Sequence, residues 1–598
     1  MINRLLLACP TIVTIISMTT AAEVPFENFI TRRNDTLFDG DRVLRFISFN
    51  IPNLHLLEDD FDFTATNNWS LPSSFEILDA LMSVQQAGGT VARIYCLRIR
   101  RGNRYDSLPL HVTAWRTYYE PAFRVMDTVL ALAGEFHIRL IIPFLEGPPW
   151  WGPKRSFARL HDGCHGFEST EIRDDYRHLV THLLNRRNTV TGELYKDDKT
   201  VLCWETGNEM RTSAGWLSAM AAFIKSTDPN HLIMDGNYGV RTASLDDPNI
   251  DIVSNHLYKK SAACIDRDVA GIKGRKVYIV GEWGWSPEKA HEVISRTIRS
   301  SAAGALVWSL RPHYHGGGFT WHKGEGLHWP GGFSRSELAG EREILAAVRN
   351  GAHAITGREP PPFPRPPAPT LLLIVHLSAI SWQGSAGATG YRLERAPSPE
   401  GPWISVGDSI DETVCAYRPL FSDTTATPGD TCFYRCVAFG PGGVSPPSAV
   451  AGPVVTDHRT LVDELIPGHE KFIYSKKTSF TDKKPWRFKY DFHRRTAARN
   501  GCLEYSVNGT ITAVRIYTFF SKKAAVFRMQ FSGNEHRWTS APVKTEEYPY
   551  CCADPHDRLR LPVLFSARPN PGHPNRRVRI VFPGRGAQVG RCEIDYKK

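Results

Sequence analysis

Between residues 43 and 310 the chain alternates two textures. Short, nearly continuous apolar runs form the first: VLRFISF (43–49), TVARIYC (90–96), IRLIIPFL (138–145), TVLCWET (200–206), HLIMDG (231–236), IDIVSNHLY (250–258), KVYIVGEW (276–283) and GALVWSL (304–310). A run apolar at successive positions reads as a strand buried on both faces. The second texture has apolar residues at helical spacing, at 74–87, 119–134, 171–186, 213–226 and 286–300. Eight strand-then-helix units around one core predict an α/β fold, a (β/α)8 or TIM barrel over residues 24–356. An open doubly wound sheet is the alternative. No GxGxxG follows the first run, so that architecture's commonest dinucleotide signature is missing.

The pattern changes at Gly357, where GREPPPFPRPPAPT (357–370) reads as a polyproline spacer. Residues 371–455 carry short strands every 8–12 residues between Pro/Gly/Ser turns, the texture of a β-sandwich. SWQGSAGATGYRLERA (381–396), GPWISVG (401–407) and CFYRCVAFGPGGVSPPS (432–448) resemble a fibronectin type III domain, with Trp382, Tyr391 and Tyr434 as its core. Residues 456–598 lack helical periodicity. AVRIYTFF (513–520), AAVFRMQF (524–531) and RRVRIVF (576–582) predict a second β-sandwich, a carbohydrate-binding module by position alone.

Charge separates this last part from the rest. It holds 27 Lys+Arg against 14 Asp+Glu, a net of +13, while the remainder nets −3. Such an excess suits an anionic glycan or a cell-surface polymer, or simply a solvated surface. Hydrophobic residues at 42% and charged residues at 22% exclude a disordered chain, a coiled coil and a collagen-like rod. Arg4, the apolar Leu5–Met18 stretch and Thr20-Ala21-Ala22 read as a signal peptide over 1–22, implying a secreted, extracellular protein without a membrane span. Cys9 would leave with it, and an odd eleven cysteines remain. Sequons begin at Asn34, Asn68 and Asn508.

Barrel active sites lie at the C-terminal strand ends. There the sequence places Arg93, then Glu146 with Trp150 and Trp151, then WETGNE (204–209), His256 and Tyr258, Gly281-Glu282-Trp283, and Trp308. Two carboxylates at one mouth suit glycoside hydrolysis: one protonates the leaving oxygen, the other meets the oxocarbenium-like centre. The acid needs a raised pKa, and the nucleophile needs cations or donors, which Arg93 and Tyr258 offer Glu282. Asn208 would bond a substrate hydroxyl, and Trp150 and Trp151 would form sugar platforms. Glu205 and Glu146 are read as supporting carboxylates, and Trp283 and Trp285 as wall and packing. His313, His315 and His322 lack the convergent ligand set of a metal site, so neither metal nor organic cofactor is expected.

VLCWETGNEM (201–210) and YIVGEWGW (278–285) resemble glycoside hydrolase family five, a clan of retaining barrel enzymes. The resemblance implies Glu209 as acid/base and Glu282 as nucleophile, with Arg93, Asn208, His256, Tyr258 and Trp308 around them. LLNRRNTVTGELYKDDKTVLCWETGNEM (183–210) and DPNHLIMDGNYG (228–239) look like plant and fungal endo-β-1,4-mannanases. That implies double-displacement hydrolysis of mannan, glucomannan or galactomannan. The family often has a His near the end of strand three, where this chain reads PFLEGPPWWGPKRSF (143–157). A β-glucan hydrolase, and a non-catalytic glycan-binding or adhesion protein, are the alternatives; no nucleic-acid partner is expected.

Overall fold

In the computed structural model the described residues are 26–58, 62–67, 69–102, 106–162, 165–322, 325–333, 338–414, 417–534, 537–549, 559–572, 574–584 and 586–597. The signal-peptide reading, and Asn68 of the second sequon, fall outside them. Asn34 and Asn508 are exposed in turns. None of the described cysteines forms a disulfide. No described helix is long and apolar enough to cross a membrane.

All eight apolar runs become strands of one closed parallel barrel. In chain order these are β1 (Phe46–Asn50), β2 (Val91–Arg93), β3 (Arg139–Pro143), β4 (Val201–Glu205), β5 (Leu232–Met234), β6 (Ile252–His256), β7 (Val277–Trp283) and β8 (Gly304–Val307). The helices that follow them are α1 (Ser74–Gln86), α2 (Glu120–Glu135), α3 (Thr170–Leu184), α4 (Ala214–Thr227), α5 (Thr242–Asp246), α6 (Cys264–Ile272), α7 (Pro287–Arg299) and α8 (Glu341–Ala354). The open-sheet alternative is therefore excluded. A small antiparallel sheet, Ile30–Arg33, Thr36–Asp39 and Arg42–Leu44, precedes β1. Its Ile30 and Leu37 join the barrel-interior cluster of Phe46, Val91, Ile141 and Ile279. Side chains alternate along a strand, so the position two beyond Val91 is Arg93 and two beyond Cys203 is Glu205. The apolar inner layer thus gives way to a polar one at the C-terminal mouth.

The C-terminal parts are not tethered at a distance. Within the proline-rich stretch, Phe363 stacks on Trp329 and lies under the Arg349 guanidinium, so the spacer is strapped to the barrel. Strands β9 (Gly390–Ala396), β10 (Ile404–Ile410) and β11 (Thr431–Gly440) form the main sheet of the next unit, with Trp382, Tyr391 and Tyr434 buried in its core. The last unit, expected as a sandwich, is one ten-stranded antiparallel sheet around a single core. Arg418 of the middle unit reaches Asp491 (2.7 Å) and Glu464 (2.6 Å) of the last, burying charge that needs those partners. Phe63 and Trp321, on barrel loops after β1 and β8, pack with Tyr417, Phe488, Tyr490 and Phe519.

His313 locks barrel to middle unit. It is fully buried, with Nδ1 2.8 Å from Asp79 of α1 and Nε2 3.0 Å from Glu412. Burial alone would discharge the ring. The two carboxylates outweigh it and push the pKa up to about 10. A histidine whose pKa is raised by folding stabilises fully below its unfolded value of 6.5, and loses that contribution as pH climbs through about 10. His313→Ala is expected to cost about 3–5 kcal/mol near neutrality, because two buried carboxylates lose their cation. Urea unfolding at pH 6 and pH 10 checks this: the gap between parent and variant should shrink at the higher pH.

Candidate active site

Arg93 organises the mouth. A guanidinium has five N–H donors, and here each has an acceptor. Nε and Nη2 hold Glu205 (2.7 and 3.0 Å), Nη1 holds Glu282 Oε1 (2.7 Å) and Asn50 Oδ1 (3.1 Å), and Nη2 also holds Asn208 Oδ1 (2.9 Å). Burial opposes its charge, but Glu205 and Glu282 raise its pKa well above the ordinary value. Glu205 is the supporting carboxylate expected from the sequence: fully buried and bidentate on Arg93. Burial raises its pKa, with Arg93 opposing.

Glu282 owes its aim to an irregularity in β7. The β6–β7 register runs Asn255↔Val280 and then His256↔Glu282, so Gly281 is an extra residue. Such a bulge re-aims the next side chain. Glycine is required there because an added Cβ would lie 2.9 Å from His256 Nε2. Glu282 Oε1 then faces Arg93, while Oε2 accepts the Tyr258 hydroxyl. Burial, and next the charge of Glu282, raise the Tyr258 pKa well above its usual value, keeping it a neutral donor.

Glu209 sits at φ 51, the left-handed region where non-glycine residues are uncommon and functional sites store strain. The preceding turn passes so close to Gly236 that a Cβ there would meet the Gly207 carbonyl at 1.5 Å. Glu209 Oε1 lies 2.7 Å from His256 Nδ1, which is also 3.3 Å from Glu282 Oε2. Its side chain is 21% exposed against 4% for Glu282, so it lines the open side of the mouth. The sequence argument required a raised pKa at the acid. The structure corrects this for the ligand-free site: burial pushes Glu209 up, but the hydrogen bond and charge of His256 bring it below the usual carboxylate value.

Among the described residues, Glu209, His256 and Glu282 are the His/Cys/Asp/Glu group whose donor atoms converge, all within 4.8 Å of one another. Two carboxylates and an imidazole are also a cation's donor set, but here Arg93 and Tyr258 already occupy both oxygens of Glu282. His313, His315 and His322 do not converge. Each pairs with a separate carboxylate, Asp79, Glu76 and Glu58, and fastens the loop after β8.

The aromatic wall differs from expectation in two places. Trp150 is half-buried against Tyr95, Trp308 and His322, and Trp308 lies in the same cluster. Trp151 is a correction: it is fully buried and donates its indole N–H to Glu58, so it packs the loop and offers no face to a sugar. Trp283 is buried as expected, whereas Trp285 is 36% exposed with its ring 4.9 Å from Tyr258. Tyr238, also missed, lies 5.7 Å from the His256 ring. Burial, then the charges of Glu209 and Glu282, raise its pKa.

Glu146 stands beyond the strand-three end, in the segment that lacks the family's His. It is fully buried, accepting the backbone N–H groups of Trp150 (3.0 Å) and Gly152 (2.6 Å) and the Tyr95 hydroxyl (3.0 Å). Tyr95 in turn accepts from Asn208 Nδ2 (3.1 Å), so the loop bearing Trp150 is tied to the barrel mouth. Burial pushes the Glu146 pKa up to about 7 from 4.5. A carboxyl raised by folding binds more protons in the folded state, so stability falls as pH rises from 4.5 through 7. Glu146→Gln is insensitive to that titration. Relative to the parent, it should gain about 3 kcal/mol of stability between pH 4 and pH 8.5, read as the change in the urea midpoint difference.

Residues 156–273 match a family model described as GH family 5 beta-mannosidase-like. That span holds Asn208, Glu209, His256 and Tyr258 but neither Arg93 nor Glu282, whose convergence on the same mouth comes from the fold. Mannan endo-1,4-beta-mannosidase 1 of Arabidopsis thaliana is 32% identical over 177 residues, 27% of this chain and 42% of that protein. Mannan endo-1,4-beta-mannosidase 8 of Oryza sativa subsp. japonica is 31% identical over 196 residues, 30% of this chain and 51% of that protein. The endo-1,4-beta-mannanase structure from Rhizomucor miehei is 18% identical, with a TM-score of 0.45, covering 55% of this chain and all of that one. The chain spans about half the length of the curated relatives it matches, and the family-model match lies within the barrel.

Proposed function

We propose that the chain is a secreted, retaining glycoside hydrolase that cleaves β-1,4-mannosidic bonds within mannan, glucomannan or galactomannan. The observation that carries this reading is the convergence of Glu209 and Glu282 on one mouth, both beside His256 Nδ1 at 2.7 and 3.3 Å; the test is whether the separation of the two carboxyl groups falls in the retaining range. Retaining enzymes hold their carboxyl groups about 5–5.5 Å apart; inverting ones leave about 6.5–9.5 Å for a water. Glu282, braced by Arg93 and Tyr258, attacks the anomeric carbon. Glu209, hydrogen-bonded to His256, delivers the proton to the departing oxygen. Glu209 then takes a proton from the water that frees the glycosyl-enzyme. Asn208 meets the sugar hydroxyl beside the reacting carbon, an interaction that strengthens toward the transition state. Trp150, Trp285 and Tyr238 are the faces available to flanking sugars, while Trp308, 5% exposed, backs Trp150. The mannan preference is supported by the names of the relatives that match this chain and by the family model matched over residues 156–273. The middle unit is read as fibronectin type III-like on its Trp382, Tyr391 and Tyr434 core.

The test is reducing-sugar release from mannan, glucomannan, β-glucan and xylan, with the anomer of the first product followed by NMR. Cleavage of mannan with the β-anomer appearing first is expected. The α-anomer first would overturn the double displacement. Cleavage of β-glucan or xylan alone would overturn the substrate.

A further inference from the structure

The basic excess of the last unit has a location. Strands β12 (Tyr474–Thr481), β13 (Arg494–Ser506), β14 (Thr510–Phe520), β15 (Arg528–Ser532) and β16 (Arg577–Val581) belong to its sheet. Lys476, Cys502, Val581 and Arg528 form one cross-strand row through β12, β13, β16 and β15. Directly paired residues point to one face. Here that is the outer face, because the next row (Leu503, Ile580, Met529) enters the core. Both cations of the row are exposed, and three strand spacings put them about 14 Å apart.

A double irregularity adds two more. Between Lys476↔Cys502 and Thr478↔Ala497, the single residue Lys477 on β12 faces residues 498–501 on β13. Lys477 and Asn500 both take left-handed φ, 52 and 61. Bulges of this kind turn side chains out of the ladder. Lys477 and Arg499 are exposed, and Asn500 accepts Arg528 Nη2 at 2.9 Å, so the protruding segment leans on the Arg528 strand. Lys522 and Lys523 are exposed on the turn leading into β15.

The ion pairs of this sheet engage other cations: Arg515 with Glu593 and Asp595, Arg495 with Glu470, and Arg579 with Glu504, the last on the same face as the row and two residues along from Cys502. Lys476, Lys477, Arg499 and Arg528 meet no carboxylate among the described residues. A cluster of exposed cations without counter-ions repels itself, and a polyanion that displaces small ions from it relieves that repulsion.

We propose that this bulged end of the sheet, centred on Lys476, Lys477, Arg499 and Arg528, binds an anionic polysaccharide carrying sulfate or carboxylate groups. It would hold the protein on an acidic glycan matrix while the barrel acts on neutral chains. A glycan is favoured over other polyanions because the barrel mouth is itself arranged for sugar chemistry. The test uses the full chain and dextran sulfate, with neutral dextran as control and single-stranded DNA and phosphatidylserine vesicles as competitors. The parent should bind dextran sulfate in 0.1 M salt and release it as salt rises. The combined variant K476Q/K477Q/R499Q/R528Q, altered only at exposed positions, should bind at least about tenfold more weakly. Its slope of log K on log salt should fall by about 3. Its thermal unfolding and its sugar release from neutral mannan should match the parent. Three results would overturn the proposal: no binding by the parent, equal binding by parent and variant, or preference for DNA or vesicles over the polysaccharide.

Discussion

Glu282→Gln is expected to lose about 10⁴-fold or more in kcat on mannan, the usual scale for removing a covalent nucleophile. The amide keeps the shape and still accepts from Arg93, so thermal unfolding should stay close to the parent's. Glu209→Gln should behave differently. Acid–base assistance is worth about 10²–10⁴-fold, and it matters most when the leaving group is poor. On an aryl β-mannoside with an acidic phenol, bond cleavage needs little protonation, but breakdown of the glycosyl-enzyme still needs a base. The Glu209 variant should therefore release a burst of phenol and then turn over slowly, whereas the Glu282 variant should give none. A burst from the Glu282 variant, or similar profiles for both, would reverse or remove the assigned roles.

The second large effect belongs to Arg93→Met. It strips the cation from Glu205 and Glu282 together, both of them buried. Breaking one buried ion pair by deleting one partner costs about 3–5 kcal/mol, because an unpaired charge stays behind. Activity should vanish, since Glu282, the proposed nucleophile, has lost its counter-charge. The companion variant Arg93→Met/Glu205→Gln removes one stranded carboxylate. It should recover part of the urea stability and none of the activity. If the double variant is no more stable than the single one, the cost arises from packing and the electrostatic account fails.

Strand periodicity and strand ends carried most of the barrel in the sequence. In VLCWETGNEM and YIVGEWGW a buried run stops where polar groups begin, which put Glu205, Glu209 and Glu282 at the mouth; only the family resemblance singled out Glu209 and Glu282. The five helical stretches read from spacing appear within two residues of their ends; α5, α6 and α8 were implied by the eight units but not delimited, and α5 has only five residues, too short to show a period. Local pattern could not distinguish Trp151 from Trp285. Both are tryptophans just beyond a strand, and only Glu58, 93 residues away, makes the first a packing residue. Glu146 was likewise ambiguous, because its burial depends on a loop that folds back over it. The low pKa of Glu209 was missed because it depends on His256, a neighbour from another strand. Proline content announced stiffness at 357–370 but could not reveal that Phe363 would dock on Trp329.

The grip of the last sheet on the barrel rim has a consequence for biosynthesis. Trp321 packs on Tyr490 and Phe492, Phe63 packs on Tyr417 and Tyr517, and Lys489 reaches the carbonyl of Asp62 across 427 positions. The eight strands and their helices are all made before residue 355. At about 5–20 residues per second, the remaining chain takes on the order of ten to fifty seconds to emerge. During that interval the ribosome carries a closed barrel whose β1 and β8 loops have no clamp. Those loops gain their packing partners only when translation of the sheet is complete.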